Sequence, residues 1–65
     1  MTFGEKAVGL TFNPSGDENV NKLKSLYAEI IDRCDLLRER SDSDGAKRLF
    51  SIAITEAQGA QMWAV

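Results

Sequence analysis

Histidine is absent from this sequence of 65 residues, and cysteine and proline each occur once. Without histidine the chain lacks the commonest general base and the commonest metal ligand. The single cysteine, Cys34, cannot form an intrachain disulfide, which suits a reducing cytoplasm. Because it lies in an apolar-periodic stretch, we interpret it as a core thiol in preference to a reactive one. We therefore predict no enzyme, no metal and no cofactor.

Long apolar runs and a basic surplus are also missing. No apolar run reaches the roughly 20 residues that span a bilayer, and the first residues do not have the pattern of a secretory signal. The net charge of −2 argues against binding to a DNA or RNA duplex. Asp32 and Asp35 could share a metal with Glu29 or Glu39, but a solvated acidic face is the favoured interpretation. We expect a cytoplasmic protein that contacts no membrane.

Helical periodicity is what the sequence does contain. It predicts an all-α fold of one domain, an antiparallel two-helix hairpin with a short N-terminal arm at residues 1–14. Helix A is predicted at 15–40, a turn at 41–45 and helix B at 46–65. The arm either holds one short helical turn or lies extended along a partner subunit. Ser41, Asp42 or Ser43 could cap helix B.

Helix A should begin near Gly16 or Asp17, because Ser15 and Glu18 have the spacing of a capping box. Its apolar residues recur at steps of three and four, which predicts one buried stripe and one wet face. Glu29 and Arg33 are spaced for an ion pair on the wet face. The predicted buried stripe comprises Val20, Leu23, Leu26, Tyr27, Ile30, Ile31, Cys34 and Leu37.

Helix B is apolar in nearly every direction around its axis, so that one partner helix cannot cover it. A chain this short also buries too little surface to be a robust monomer. Both features predict a compact homo-oligomer, and we assign Met62 and Trp63 to its core. Because the apolar pattern is still running at Val65, we expect the natural protein to continue for a few residues.

The stretch before helix A could bind an anion. Phe12, Asn13, Ser15 and Gly16 precede a helix N-terminus, where backbone amides and the helix dipole favour negative charge. Phe12 either stacks on a base or packs as a hydrophobic staple onto helix A, and the pattern does not separate these two roles. Lys24 either reaches a phosphate oxygen or is a solubilising lysine.

Helix B offers two more polar candidates. Arg48 either pairs with Asp44, four residues earlier, or presents a planar fork to a phosphate, and the ion pair is the default. The Thr55 hydroxyl is either bonded back to the carbonyl of residue 51 or faces a polar pocket between subunits.

Residues 48–65, RLFSIAITEAQGAQMWAV, closely resemble the C-terminal signature of the phage cyclic-oligonucleotide sponges, the hairpin family shared by anti-CBASS and Thoeris anti-defence proteins. The element Phe12-Asn13-Pro14-Ser15-Gly16 is also similar to that family. The resemblance implies a homohexamer that binds cyclic dinucleotides, cyclic trinucleotides or cyclic ADP-ribose isomers without cleaving them. The protein would then act in the cytoplasm of the infected bacterium, blocking CBASS or Thoeris immunity.

On this resemblance each candidate acquires a role. Phe12 would stack on a base, Asn13 and the Ser15-Gly16 amides would bond polar edges, and Lys24 would neutralise phosphate. Arg48 and Thr55 from several subunits would line a second pocket. Two alternatives stay open, a structural oligomerisation module with no ligand and an enzyme that degrades cyclic nucleotides, although the chain offers that enzyme no visible base or metal.

Overall fold

The computed structural model describes residues 1–9 and 16–64, and within them every regular element is a helix. These are α1 (Phe3–Val8), α2 (Glu18–Arg40) and α3 (Asp44–Ala64). The last two are packed on each other across a short turn at residues 41–43, so the hairpin fold is confirmed. Helix α2 ends where helix A was predicted to end, but begins at residue 18 and not at 15. Helix α3 begins at residue 44, earlier than the predicted 46.

The helix starts follow local capping chemistry. Asp17 caps α2, since its carboxylate accepts a hydrogen bond of 2.8 Å from the backbone N–H of Asn19. The expected cap by Ser15 is therefore wrong, because an equally good capping residue stands closer to the first apolar turn. Ser43 caps α3 by accepting a bond of 3.3 Å from the N–H of Ala46, which confirms one of the three candidate caps.

Helix α1 settles the conformation of residues 1–9 in favour of a short helix. Thr2 and Glu5 form a capping box, in which each side chain accepts a hydrogen bond from the other's backbone N–H. Gly9 ends the helix in the left-handed conformation, with φ 62°. Six residues cannot sustain an isolated helix in water, so α1 depends on its packing against the hairpin.

The core lies where the three helices meet. Its buried members come from all of them: Val8 from α1, Ala28 and Ile31 from α2, and Ile54 from α3. Ile31 has no exposed surface at all. Half-buried apolar side chains surround this centre, namely Ala7, Tyr27, Cys34 and Ala57. Cys34 is thus packed against the core as predicted.

The buried side of α2 is rotated away from the predicted stripe. Leu26, Ile30 and Leu37 are each about half exposed in the protomer, whereas Ala28 is buried and Lys24 is 2% exposed. The reason is that α2 packs against α3 on one side and α1 on another. Its buried sector therefore turns toward α1, a helix that periodicity did not predict.

The protomer is thin and leaves much apolar surface in contact with solvent. Its extents are 42 × 21 × 13 Å, and 13 Å is about one helix diameter. It exposes 4685 Å², whereas a compact monomer of its mass of 7.2 kDa exposes about 4100 Å². Trp63 is 93% exposed. Nine further large apolar side chains of the described residues are at least two-fifths exposed: Met1, Phe3, Leu26, Ile30, Leu36, Leu37, Leu49, Ile52 and Met62.

Candidate functional site

Gly16, the one described member of the predicted anion corner, lies at the open end of the hairpin. Phe12, Asn13 and Ser15 lie outside the described residues, so their roles stay predictions. Gly16 is exposed and has φ 67°, a conformation that glycine adopts without strain. The backbone conformation favours glycine here and not a lack of space, because a Cβ would meet nothing within 4 Å. Next to it, Asp17 places its own carboxylate on the first turn of α2. This negative charge makes the corner less attractive to an anion than the sequence suggested.

Lys24 does not present its ammonium group on an open surface of the protomer. The side chain is buried, and its Nζ donates a hydrogen bond of 3.0 Å to the backbone carbonyl of Gly9. That carbonyl belongs to the residue that ends α1, where a helix dipole favours a cation. The structure therefore places Lys24 between α2 and the end of α1.

Arg48 and Thr55 lie on the outer surface of α3. Among the described residues Arg48 has no ion pair with Asp44, so the default interpretation was wrong and the guanidinium points to solvent. The Thr55 hydroxyl donates a bond of 3.2 Å to the carbonyl of Ser51, which confirms the first of its two predicted conformations. The two residues are seven apart, or two helical turns, and so share one side of α3. Ile52, 44% exposed, stands between them.

The protomer keeps the two predicted groups apart. Gly16 stands at the open end of the hairpin, while Arg48 stands in the second turn of α3, close to the connecting turn. The helical rise along α2 separates these levels by roughly 30 Å. One protomer therefore cannot bring both groups to one ligand, and a site that uses both must draw on neighbouring copies.

Several polar contacts were not foreseen. Asp32 accepts a hydrogen bond of 2.7 Å from the N–H of Gly4, and Asp35 forms an ion pair of 2.6 Å with Arg38. Arg38 also donates to the Ser51 hydroxyl at 3.1 Å and lies 5.8 Å from the Phe3 ring centroid, so it joins all three helices.

Asp32 and Asp35 therefore do not form the solvated acidic face that was the favoured interpretation. No cluster of metal-ligating side chains occurs in the described part of the chain. The spacing of Asp35 and Arg38 could have predicted their ion pair. The spacing of Glu29 and Arg33 did predict the ion pair that these two residues form, at 3.8 Å. Nothing local in the sequence signals the contact between Asp32 and Gly4, which are 28 residues apart.

The outer surface of α2 carries an open depression of about 440 Å³. It combines an ammonium, a carboxylate, an amide and a hydroxyl with one apolar side chain, and the lining residues are Asn21, Lys22, Ser25, Leu26 and Glu29. Its opposite charges and shallow form define no specific ligand. Leu26 instead continues the exposed apolar surface of the helix.

Gln61 is the one other buried polar side chain of the described residues, at 6% exposure, and its Oε1 accepts no hydrogen bond. It lies two turns beyond Ile54 on α3, just as Lys24 lies two turns before Ile31 on α2. Because Ile31 and Ile54 share the core and the helices are antiparallel, Gln61 and Lys24 stand at about the same level.

These features define a small all-helical hairpin with polar candidates set in exposed apolar surface. A family model, that of the Acb2/Tad1 hairpin domain, matches residues 5–65. The chain therefore belongs to this family, the phage anti-CBASS and anti-Thoeris sponges, and the resemblance found in residues 12–16 and 48–65 is confirmed. No curated protein and no solved structure gives a significant match. Within the described residues, no helix is long and apolar enough to cross a membrane.

Proposed function

We propose that the protein is a phage anti-defence sponge, which binds cyclic di- or trinucleotides or cyclic ADP-ribose isomers in the host cytoplasm and releases them unchanged. The family match over residues 5–65 is the observation that carries this proposal. Cyclic dinucleotides and trinucleotides present several bases and at least two phosphates. They therefore call for aromatic surfaces and cations that one thin hairpin does not supply.

The surface of the protomer supports assembly into a closed homo-oligomer, for which the family suggests six copies. Within residues 1–9 and 16–64, ten large apolar side chains are substantially exposed, far more than isolated surface positions explain. Packing of copies through α3 would cover Trp63 and Met62. It would also bring Arg48 and Thr55 of neighbouring copies together, and each ligand could then be enclosed between subunits.

Arg48 is the best-supported ligand contact in this proposal. Its side chain is exposed, and within the described residues no acidic group pairs with it. A guanidinium forms bidentate hydrogen bonds with a phosphate, whereas the Thr55 hydroxyl oxygen can still accept a bond from the ligand. Phe12 is proposed to stack on a base, with Asn13 and the Ser15-Gly16 amides bonding its polar edges.

Sequestration without cleavage requires tight binding. Suppressing a messenger at roughly micromolar concentration needs a nanomolar dissociation constant, or about −12 kcal/mol per site. Preformed pockets between subunits would limit the ordering cost of binding. We propose no catalytic residue.

Native mass spectrometry with a panel of cyclic dinucleotides, cyclic trinucleotides and cyclic ADP-ribose isomers tests the proposal. We expect an oligomer that gains whole ligands and returns them intact after denaturation. An oligomer that binds nothing in the panel would favour the structural module, whose support is the same exposed apolar surface. Recovery of linearised ligand would favour an enzyme.

Two matched pairs of variants test the residues. Arg48→Ala should weaken binding, while Lys47→Ala, an equal charge change at an exposed neighbouring position, should not. Phe12→Ala should raise Kd by roughly 5- to 150-fold if a stacking contact of about 1–3 kcal/mol is lost. Phe12→Leu separates the two roles of this residue, because leucine can act as a hydrophobic staple but cannot stack. Wild-type affinity in Phe12→Leu would contradict stacking.

A further inference from the structure

The pocket proposed around Arg48 and Thr55 has no aromatic side chain among the residues named for it. Cyclic nucleotides carry bases, and an aromatic ring is a surface on which any base can stack. Ser51 lies about one turn from each of these two residues, so the three form one row along α3, which we name the polar row. Side chains that contact Ser51 therefore border this pocket.

Arg38 connects the polar row with an aromatic side chain. Its guanidinium donates a hydrogen bond of 3.1 Å to the Ser51 hydroxyl, and its Cζ lies 5.8 Å from the centroid of the Phe3 ring. Phe3 and Ser51 thus contact one guanidinium, the first from α1 and the second from α3. The docking of α1 on the hairpin therefore brings the Phe3 ring to the edge of the polar row.

The Phe3 ring is accessible to a base. The residue is 46% exposed, although the guanidinium covers part of the ring. The other aromatic side chains of the described residues are placed less favourably, because Tyr27 and Phe50 are half-buried and Trp63 lies two turns beyond the polar row. Among the described residues, Phe3 is thus the aromatic side chain that is both exposed and linked to the row.

Charge divides the site into two parts. Arg38 is neutralised by its ion pair of 2.6 Å with Asp35, so the surroundings of the Phe3 ring suit an uncharged base better than a phosphate. Arg48 has no acidic partner within the described residues, and its guanidinium suits a phosphate. The described part of the chain therefore places a stacking surface and an anion contact at one pocket.

We propose that Phe3 is the base-stacking residue of the pocket that contains Arg48. A purine or pyrimidine ring packs on Phe3, while the adjoining phosphate binds Arg48 of the same protomer. This inference deepens the proposed function and rests on it for the identity of the cyclic ligand. The contact between a base and Phe3 is a property of the site that a mononucleotide also tests.

Phe3→Leu separates stacking from packing, because leucine keeps an apolar side chain and removes the aromatic plane. For the cyclic nucleotide of the panel that binds the wild type, Kd should rise by roughly 5- to 150-fold, the range for one lost stack. Phe3→Trp should retain the wild-type affinity or improve it. Amide exchange of residues 4–9 should stay unchanged in Phe3→Leu, which shows that α1 remains docked.

Phe50→Leu is the matched control. It makes the same change at a half-buried position of α3, and a residue two positions from Arg48 points away from it. The stability of this variant should fall, but its Kd should equal that of the wild type.

Nuclear magnetic resonance of labelled phenylalanine rings tests the contact without a cyclic ligand. Adenosine monophosphate should shift the signals of the Phe3 ring, which are identified by their absence in Phe3→Leu. Ribose phosphate, which has no base, should leave these signals in place. No shift with adenosine monophosphate, or an equal shift with ribose phosphate, would overturn the inference.

The outcomes separate this inference from the proposed function. A shift of the Phe3 ring by adenosine monophosphate alone, in a protein that binds no member of the panel, would support the base site and refute the sponge. Equal affinity of wild type and Phe3→Leu for a cyclic nucleotide would overturn the base site and leave the sponge standing. Loss of assembly in Phe3→Leu, with no shift by adenosine monophosphate, would overturn it in favour of packing between copies.

Discussion

Gly4 offers the sharpest test of how α1 is held, because alanine there should destabilise a helix that alanine normally favours. A Cβ on Gly4 would lie 2.0 Å from the carbonyl oxygen of Ala28 and 2.9 Å from the Asp32 carboxylate. The carbonyl belongs to the backbone of a long helix and cannot turn aside. Helix α1 must therefore retreat by roughly 1 Å or more to restore ordinary contact distances.

The magnitude follows from what the retreat breaks. The bond between Gly4 and the charged Asp32 is worth about 1.5–3 kcal/mol, and burial of Val8 contributes about 1.5–3 kcal/mol. The higher helix propensity of alanine offsets about 1 kcal/mol of this loss. Gly4→Ala should thus weaken the docking of α1 by about 2–5 kcal/mol.

Gly59→Ala is the matched control. Gly59 lies within α3, and a Cβ there would meet nothing within 4 Å, so the change should stabilise the protein by up to about 1 kcal/mol. Urea unfolding measures the global effect, and amide exchange of residues 4–9 measures the docking of α1. A Gly4→Ala protein as stable as the wild type, with α1 still protected, would refute the reasoning. Destabilisation by Gly59→Ala would instead show that a neighbouring copy packs on Gly59.

Three other changes have defined outcomes. Thr2→Ala removes the capping box and should cost about 0.5–2 kcal/mol, seen as faster amide exchange confined to α1. Unchanged exchange of α1, or faster exchange of the other helices, would contradict this prediction. Gln61→Met removes a buried acceptor that has no partner in the described residues. It should raise the free energy of unfolding by about 1–3 kcal/mol, seen as a higher urea midpoint, and a lower midpoint would mean that a neighbouring copy supplies a partner. Trp63→Ser should dissociate the proposed oligomer in sedimentation while the circular dichroism spectrum keeps its helical form, and an assembly that stays intact would contradict the role given to Trp63.

The two long helices were predictable because their signals are local. Apolar residues at steps of three and four and a cluster of turn formers before residue 44 placed both helices to within a few residues. The start of α2 was harder, since Ser15 and Asp17 are both good capping residues, and the structure uses Asp17, which stands closer to the first apolar turn. Local rules thus predicted which segments are helical more accurately than the residues at which the helices begin.

Helix α1 was not assigned, although the spacing of Thr2 and Glu5 is a local capping-box signal that could have marked its start. Its packing depends on contacts that are not local. Gly4 and Gly9 look like helix breakers, yet one permits close packing on Ala28 and the other ends the helix. The docking contacts join residues far apart in the chain, such as Gly4 with Asp32. Missing α1 also misplaced the buried side of α2, which explains why the surroundings of Lys24 could not be foreseen.

The candidate ligand residues could be named from the sequence, but their surroundings could not. Residue chemistry singled out Arg48 and Thr55, and the resemblance then implied a ligand-binding role for them. The structure shows both on one exposed side of α3. The spacing of Asp44 and Arg48 suggested a pair that the described residues do not form. An ion pair on a helix surface is worth only about 0.3–0.5 kcal/mol, too little for spacing alone to decide the conformation.

The position of Arg48 and Thr55 has a consequence for how binding and assembly depend on each other. Both side chains flank Ile52, and the same helix exposes Leu49 and Trp63. Whatever covers these apolar residues also sets what Arg48 and Thr55 face, so on the proposed function the subunit interface and the ligand pocket are parts of one surface. A ligand held between copies then stabilises their association, and by reciprocity association strengthens ligand binding. A chain too thin to enclose a cyclic nucleotide alone can in this way reach the affinity that sequestration demands.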